Sequence, residues 1–551
     1  MSSSTKPATS PAFAEASSVQ HWAVLAAIVA IGIGMRLTFY SGFYGSDEVT
    51  YLAAAVNVLN GDWTPSTYIG AIRYGFQLPM AAFMAVFGQS EQIANLWPLL
   101  CSVAEIALVV VFGRRFFGLK AGALAGLILA VLPLHVHYAG RVMADAPLAL
   151  FITASFLLFW RGQQTNTRAL FFFAGLAAGC VFWIKEVTTF YLAVFLTYPL
   201  IFRCWNWRWM WMLAGFALVF GANLIFFWLL AGDPLYVFRI VSSGVTSYAN
   251  STGRFASAST HSAPIYYFEY LFAKVYHTWL LGLFALAGMF AALAASRRET
   301  AFNNITSEQN GNVLIWWGGG LILLFTFFPL SLSPLKLISK QVNYMLVFVA
   351  PLALLAGVFL SRLKPALLSI VLTSLLVPSI LLSGLEKAVV HQFTAVSKAT
   401  VGLAKAHPDV SVYGSTGAIR AATFDALIQP EAQAVTVHSL DELLTGGARL
   451  PQAQAYAVLD IEVAKWARES VRTRTDIPHC WRPDDHLLKL APAFLRNFGH
   501  SIDVVSAWLP EAIGAALAQQ LHKTVTLPAH FTYVMPSAKG NALCPGDAMQ
   551  N

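Results

Sequence analysis

The chain has 551 residues, 57% of them hydrophobic and 11% charged, with a formal net charge of +8. A soluble protein of this length has no need of successive apolar runs of about 20 residues, so the pattern is that of a polytopic membrane protein. The positive balance does not mark a nucleic-acid partner, because Lys and Arg fall in short loops between apolar runs, the distribution that orients membrane helices.

Residues 1–21, opening MSSSTKPATSPAFAEASSVQ, are polar and rich in Ser, Ala and Pro; they read as a disordered cytoplasmic tail with no cleavable signal. Apolar runs then predict spans at 22–40, 92–113, 120–138, 145–160, 169–184, 187–203, 208–231, 275–296, 313–332, 342–361 and 365–384. The stretch RYGFQLPMAAFMAVFG (73–88) is short and opens on Arg73, Gln77 and Pro79, so it reads as an interfacial or re-entrant helix. With about eleven spans and a cytoplasmic N-terminus, the basic loops at 114–120, 161–168, 203–208, 296–300 and 361–364 share one side. Residues 22–386 then form the membrane domain, in an inner or plasma membrane, and 387–551 are exported.

In this topology the remaining charges meet at the outer face, where ionisable groups mark function by default. YGSDEVTY (44–51) sets Asp47 and Glu48 after the first run, with Ser46 as a possible N-cap and Tyr51 on the face of Asp47. The plainer reading is two acids complementing a helix dipole. Asp145 follows HVHYAGRVMADAPL (135–148), four residues after Arg141, a spacing that also suits an ion pair. Lys185 and Glu186 adjoin and could neutralise each other; Lys340 and Tyr344 share a helix face, with Lys336 just before. Lysines at an outer surface run against the positive-inside trend and suit a lipid phosphate. The loop 232–274 carries Arg239, Arg254, His261 and the aromatic run YYFEY (266–270), a membrane belt or a sugar-stacking face. His135 and His137 read as interface or hydrogen-bonding residues.

Residues 387–551 change character. DVSVYGS (409–415), AQAVTV (432–437) and QAYAVLD (454–460) read as strands, and 416–428 and 439–446 as helices, which predicts a small α/β domain with a partly parallel sheet. GSTG (414–417) is a strand-to-helix turn rather than a phosphate loop. Only Cys480 and Cys544 of the five cysteines fall in this exported part, where a disulfide between them or two free thiols are both open. No Cys/His spacing suits structural zinc.

Taken in order, several segments over residues 22–385 resemble a known family. These are the acidic pair with GDW (61–63) behind it, GCVFWIKEVTTF (179–190), HSAPIYYFEYL (261–271) and KQVNYMLVFVAPLALLAG (340–357). Together they resemble the GT-C membrane glycosyltransferases of the protein mannosyltransferase and aminoarabinose transferase type. The resemblance implies a donor sugar on polyprenyl phosphate and a lipid, glycan or protein acceptor. It implies Asp47, Glu48 and Asp145 as catalytic acids, Lys185, Lys340 and Arg141 around the donor phosphate, and Tyr51, His261 and Tyr344 in the cavity. The sequence departs from the aminoarabinose transferases at Phe76–Gln77–Leu78–Pro79, where they carry Glu-Lys-Pro-Pro; this argues against a metal held between that position and His261 and against lipid A as acceptor, so no firm metal site is expected, and a divalent ion elsewhere stays open. A transporter or flippase, or a non-catalytic assembly subunit, are the competing classes; no repeated halves or midplane charges favour transport.

Overall fold

A computed structural model describes residues 18–250, 264–299, 309–333, 335–429, 434–447, 451, 453–490, 504, 506–526, 528–536 and 544. Among them six helices are long and apolar enough to cross a membrane, or seven if Leu119–Val131 and Pro133–Ala139, bent by 58°, make one span. Pro133 accounts for the bend: it lacks an N–H, and it holds Leu132 in extended backbone. Of the expected spans outside that count, 145–160 lies in the unbroken helix Asp145–Thr165, and 275–296 and 313–332 meet the shorter apolar helices Leu281–Ala294 and Gly311–Phe327. Within the count, 169–184 and 187–203 share one stretch, Arg168–Phe202, with a 3₁₀ turn at Glu186–Leu192 between its helices. The segment 73–88 is helical over Tyr74–Phe87.

Position in the bundle follows composition. The stretch Val342–Ser361 is 89% buried and forms the centre, whereas Trp207–Ala231 is 17% buried and presents Trp211, Leu213, Leu218, Ile225, Trp228 and Leu229 outward, a surface for lipid tails. Without a hydrophobic drive between helices in lipid, close backbone packing holds them together. Helices Arg168–Lys185 and Met210–Ala231 meet at Gly175 and Gly215, where an added Cβ would collide with the Met212 and Phe172 carbonyls.

A polar network also ties the interior. Arg36 donates to Ser102 Oγ at 2.8 Å and to the Ala130 carbonyl at 3.2 Å, and it also contacts His135. Glu105 accepts from Thr153 at 2.8 Å and lies 3.0 Å from His135 Nε2. All five of these side chains are buried, and each would be costly in lipid without its partners.

Two expected boundaries move. The run 313–332 stops being helical at Phe327, and a hairpin follows, β1 (Pro329–Leu332) antiparallel to β2 (Leu335–Leu337). Pro329 cannot supply the N–H that a continuing helix needs. The run 365–384 opens with Pro365 at its N-terminus and continues unbroken to Ala406. This 42-residue helix passes straight through the expected boundary at 386/387 and delivers the chain into a sheet.

That sheet has the order β4-β3-β5-β7-β6, with β3 (Ser411–Gly414), β4 (Val437–Ser439), β5 (Ala455–Asp460), β6 (Arg482–Pro483) and β7 (His530–Met535). β3 runs parallel to β4 and β5, whereas β7 is antiparallel to β5 and β6. β4 lies later than the predicted 432–437, since Val437, His438 and Ser439 are the residues in register with Val412, Tyr413 and Gly414. Helix Thr416–Ile428 follows β3, so GSTG is a strand-to-helix turn. Cys480 and Cys544 are joined by a disulfide.

Candidate active site

Asp47, Glu48, Arg141, Asp145, Lys185 and Glu186 lie in the part of the bundle that the sheet unit contacts, but their pairing differs from the expectation drawn from spacing. Helix Glu48–Leu59 begins after Asp47, which is its N-cap in place of Ser46 and makes no side-chain capping bond. Glu48 Oε2 instead accepts the Ser46 N–H at 2.8 Å, reaching back over the turn. Glu48 is fully buried and its Oε1 accepts from Arg141 Nε at 2.8 Å and from Arg141 Nη2.

Arg141 therefore does not pair with Asp145. It lies in the turn between helices Pro133–Ala139 and Asp145–Thr165, so the i, i+4 geometry of a single helix does not apply. Asp145 Oδ1 accepts from Lys185 Nζ at 2.8 Å and from Asn343 Nδ2 at 2.9 Å, while its buried Oδ2 has no hydrogen-bond partner. Lys185 and Glu186 do not neutralise each other, because the helix ends between them and Lys185 takes a non-helical backbone. Glu186 Oε2 accepts from Arg73 Nε at 3.3 Å, and Arg73 also donates to the Tyr51 hydroxyl. Lys185 lies 4.7 Å from the Tyr344 ring centre, a cation–π contact.

Three buried ion pairs thus cancel charge within the protein: Glu48 with Arg141, Asp145 with Lys185, and Glu186 with Arg73. Two predicted residues stand outside them. Asp47 is exposed, and its carboxylate makes no hydrogen bond or ion pair among the described residues. Lys340 is buried in an extended segment before the 3₁₀ turn Val342–Met345, not on the helix face expected with Tyr344. Its Nζ lies 3.4 Å from the Ile338 carbonyl, no carboxylate is within ion-pair reach among the described residues, and burial pushes its ammonium below the usual lysine range. Tyr51 and Tyr344 are buried in the cluster, while His261 lies outside the described residues.

Nothing in the sequence signalled what holds the loop before Asp47. Gly42, at a positive φ of 69°, packs against the Glu91 carboxylate, which accepts the Phe43 N–H at 2.7 Å; a side chain at 42 would strike that carboxylate. Tyr44 is stacked on Phe393 of the long helix at 4.9 Å, with Arg141 on its ring at 4.4 Å and Trp466 edge-on at 6.3 Å. Phe43 meets Phe424 at 4.8 Å, and Arg420 donates to the Gly45 carbonyl at 2.8 Å. Phe424, Arg420 and Trp466 all come from the sheet unit. A second missed group is Glu386, which binds His277 and lies 3.7 Å from His137 Nδ1, linking the long helix to the Arg141 turn.

Among the described residues no group of three or more His, Cys, Asp or Glu is placed to hold a metal. Gln77, at the position of departure from the aminoarabinose transferases, is buried and donates to the Gly70 carbonyl at 3.1 Å.

The architecture matches solved structures over nearly its whole length. The apo ArnT of Cupriavidus metallidurans aligns at a TM-score of 0.53 and 16% identity, covering 86% of this chain and 98% of that one. The Archaeoglobus fulgidus oligosaccharyltransferase, in a complex with Zn and sulfate, aligns at 0.52 and 12%, covering 93% and 88%. Both have the GT-C fold.

This chain has the GT-C fold. At such identities the fold is what is shared. Within it, residues 75–227 match the family model of dolichyl-phosphate-mannose-protein mannosyltransferases. No curated protein matches the chain. The matched segment contains Arg141, Asp145, Lys185 and Glu186, whereas Asp47 and Lys340 lie outside it.

Proposed function

We propose that the protein is a GT-C glycosyltransferase that moves a sugar from a polyprenyl-phosphate donor to an acceptor hydroxyl at the extracytoplasmic face of a bacterial inner membrane. The observation that carries this reading is the charge balance of the site. Once the three buried pairs are accounted for, one exposed carboxylate and one uncompensated buried ammonium remain. The fold and the mannosyltransferase match of residues 75–227 support it.

Asp47 is the base: its carboxylate takes the acceptor hydroxyl proton as the acceptor oxygen bonds to the anomeric carbon. The bond from that carbon to the phosphate oxygen breaks in the same step, and its electron pair stays on the phosphate. Lys340 stabilises the charge that develops there, in a buried setting where a cation counts for more than in water. One displacement inverts the anomeric centre. Asp145, Lys185, Arg141 and Glu48 are the frame of the site, and Asp145 Oδ2, buried without a hydrogen-bond partner, is the frame oxygen we assign to substrate. An N-terminus in the cytoplasm, about eleven spans and an exported unit from 387 onward belong to the same proposal.

Lys340→Met tests the phosphate role. It leaves no acid unpaired, so the protein should melt as wild type while affinity for polyprenyl phosphate falls by about tenfold or more, roughly 1.4 kcal/mol. Unchanged affinity would remove Lys340 from the mechanism.

A further inference from the structure

A cavity of about 420 Å³ lies along helix Glu48–Leu59, within the size range of small-molecule sites, about 300–1,000 Å³. One wall is the helix face carrying Thr50, Ala53, Ala54 and Asn57, and the other is the following loop with Asp62, Thr64, Ser66 and Tyr68. Thr50 and Ala54 follow Asp47 at i+3 and i+7, so the acid stands at the head of the same face.

The lining decides what this cavity takes. No Lys or Arg contributes to it, so it offers nothing to a phosphate or another anion. Asp62, its only carboxylate, already accepts the Thr64 N–H at 3.0 Å. Its walls are a helix and a loop, with no strand edge for an extended peptide to join. What it does present is the Thr50 and Tyr68 hydroxyls and the Asn57 amide, with Ser66 Oγ already accepting the Tyr68 N–H at 3.1 Å, over a floor of small apolar groups, Ala53, Ala54 and Ala71. Two aromatic rings stand exposed on the same loop, Trp63 at 41% and Tyr68 at 51%. Neutral hydrogen-bonding groups, an apolar floor and the exposed Tyr68 ring match a neutral sugar, which is polar at its rim and apolar on its ring faces.

We infer that this cavity is the acceptor subsite and that the acceptor is a carbohydrate hydroxyl, on a glycan or a glycolipid headgroup. This rests on the transferase reading above and names its acceptor class. The bound sugar would present one hydroxyl toward Asp47, which takes that proton as the new glycosidic bond forms and the donor phosphate departs.

The test uses the full chain in lipid nanodiscs, with neutral methyl hexosides as binding probes followed by saturation-transfer NMR. A panel of polyprenyl-phosphate sugars and a Ser/Thr peptide complete the set. Wild type should show saturation transfer to at least one hexoside. Ala54→Leu, which fills the floor, should abolish it, and Asn57→Ala should weaken binding about fivefold, with polyprenyl phosphate binding unchanged in both. Equal hexoside signals in wild type and Ala54→Leu would overturn the subsite, as would no signal in wild type. Sugar transfer to the peptide, and to no hexoside, would overturn the acceptor class while leaving the transferase reading intact. Donor turnover absent with every donor would overturn both readings.

Discussion

In the proposed mechanism, the side chains that read most plainly as functional in the sequence divide into a frame and two reactive groups. Asp145 and Lys185 lie in the frame, both buried and joined at 2.8 Å. Removing one partner of such a pair leaves the other charged and desolvated, at a cost of about 3–5 kcal/mol. Asp145→Asn and Lys185→Met should therefore each lower the melting temperature in detergent markedly, and the double variant should melt higher than the sum of the two losses implies. Strict additivity would show that the two do not depend on each other. At this scale the sequence showed where charge gathers, because Asp47, Asp145, Lys185 and Lys340 all follow or precede apolar runs on one predicted side. It did not show who pairs with whom. Partner choice turns on the break at residues 140–144 and the helix end at Lys185, and neither leaves a periodic signature.

Among elements, the long helix and the sheet it enters bear on the site more than their separation in sequence suggests. β3, β5 and the helix Thr416–Ile428 were legible from apolar runs and turn chemistry, whereas β6 is two residues long and offers no pattern to read. The contact of helix Thr416–Ile428 with the loop before Asp47 was invisible, since Arg420 in TGAIRAATF looks like any solvated arginine. Its 2.8 Å bond to the Gly45 carbonyl makes it a positioning residue for Asp47. Small displacements of a reacting group are costly in rate. Arg420→Met should lower kcat by about tenfold with polyprenyl phosphate affinity unchanged, and Arg420→Lys, which keeps a donor for that carbonyl, should recover most of the loss. Equal kcat in wild type and Arg420→Met would show that the sheet unit does not hold the loop.

The whole molecule couples an apolar bundle to a five-stranded sheet, and a buried carboxyl makes the sheet sensitive to pH. At the end of β5, Asp460 is buried, and burial raises its carboxyl from 3.8 to about 7 against the opposing Val463 N–H bond, with Glu462 and Glu469 adding to the rise. Between those two values folded Asp460 holds a proton that the unfolded chain does not, so its contribution to stability is fully present below about pH 4, is lost as pH rises through about 7, and is level above. Hydrogen exchange of β5 amides, corrected for intrinsic rates, should show easier opening at pH 8 than at pH 5. Asp460→Asn should reduce that difference, and an undiminished difference would assign it to other groups. The membrane character of the chain was clear from composition alone. The interior network of Arg36, Glu105 and His135 was not, because a lone charge inside an apolar run does not reveal the helix that will face it.

The central claim is that Asp47, exposed and unpaired beside three closed ion pairs, performs the chemistry. Its direct test is release of polyprenyl phosphate from a panel of polyprenyl-phosphate sugars, comparing wild type with Asp47→Asn in the presence of membrane extract. The account predicts turnover lowered by about 100-fold or more, with melting and polyprenyl phosphate binding as in wild type. Equal turnover in the two proteins would contradict it and leave Asp47 as the start of a helix.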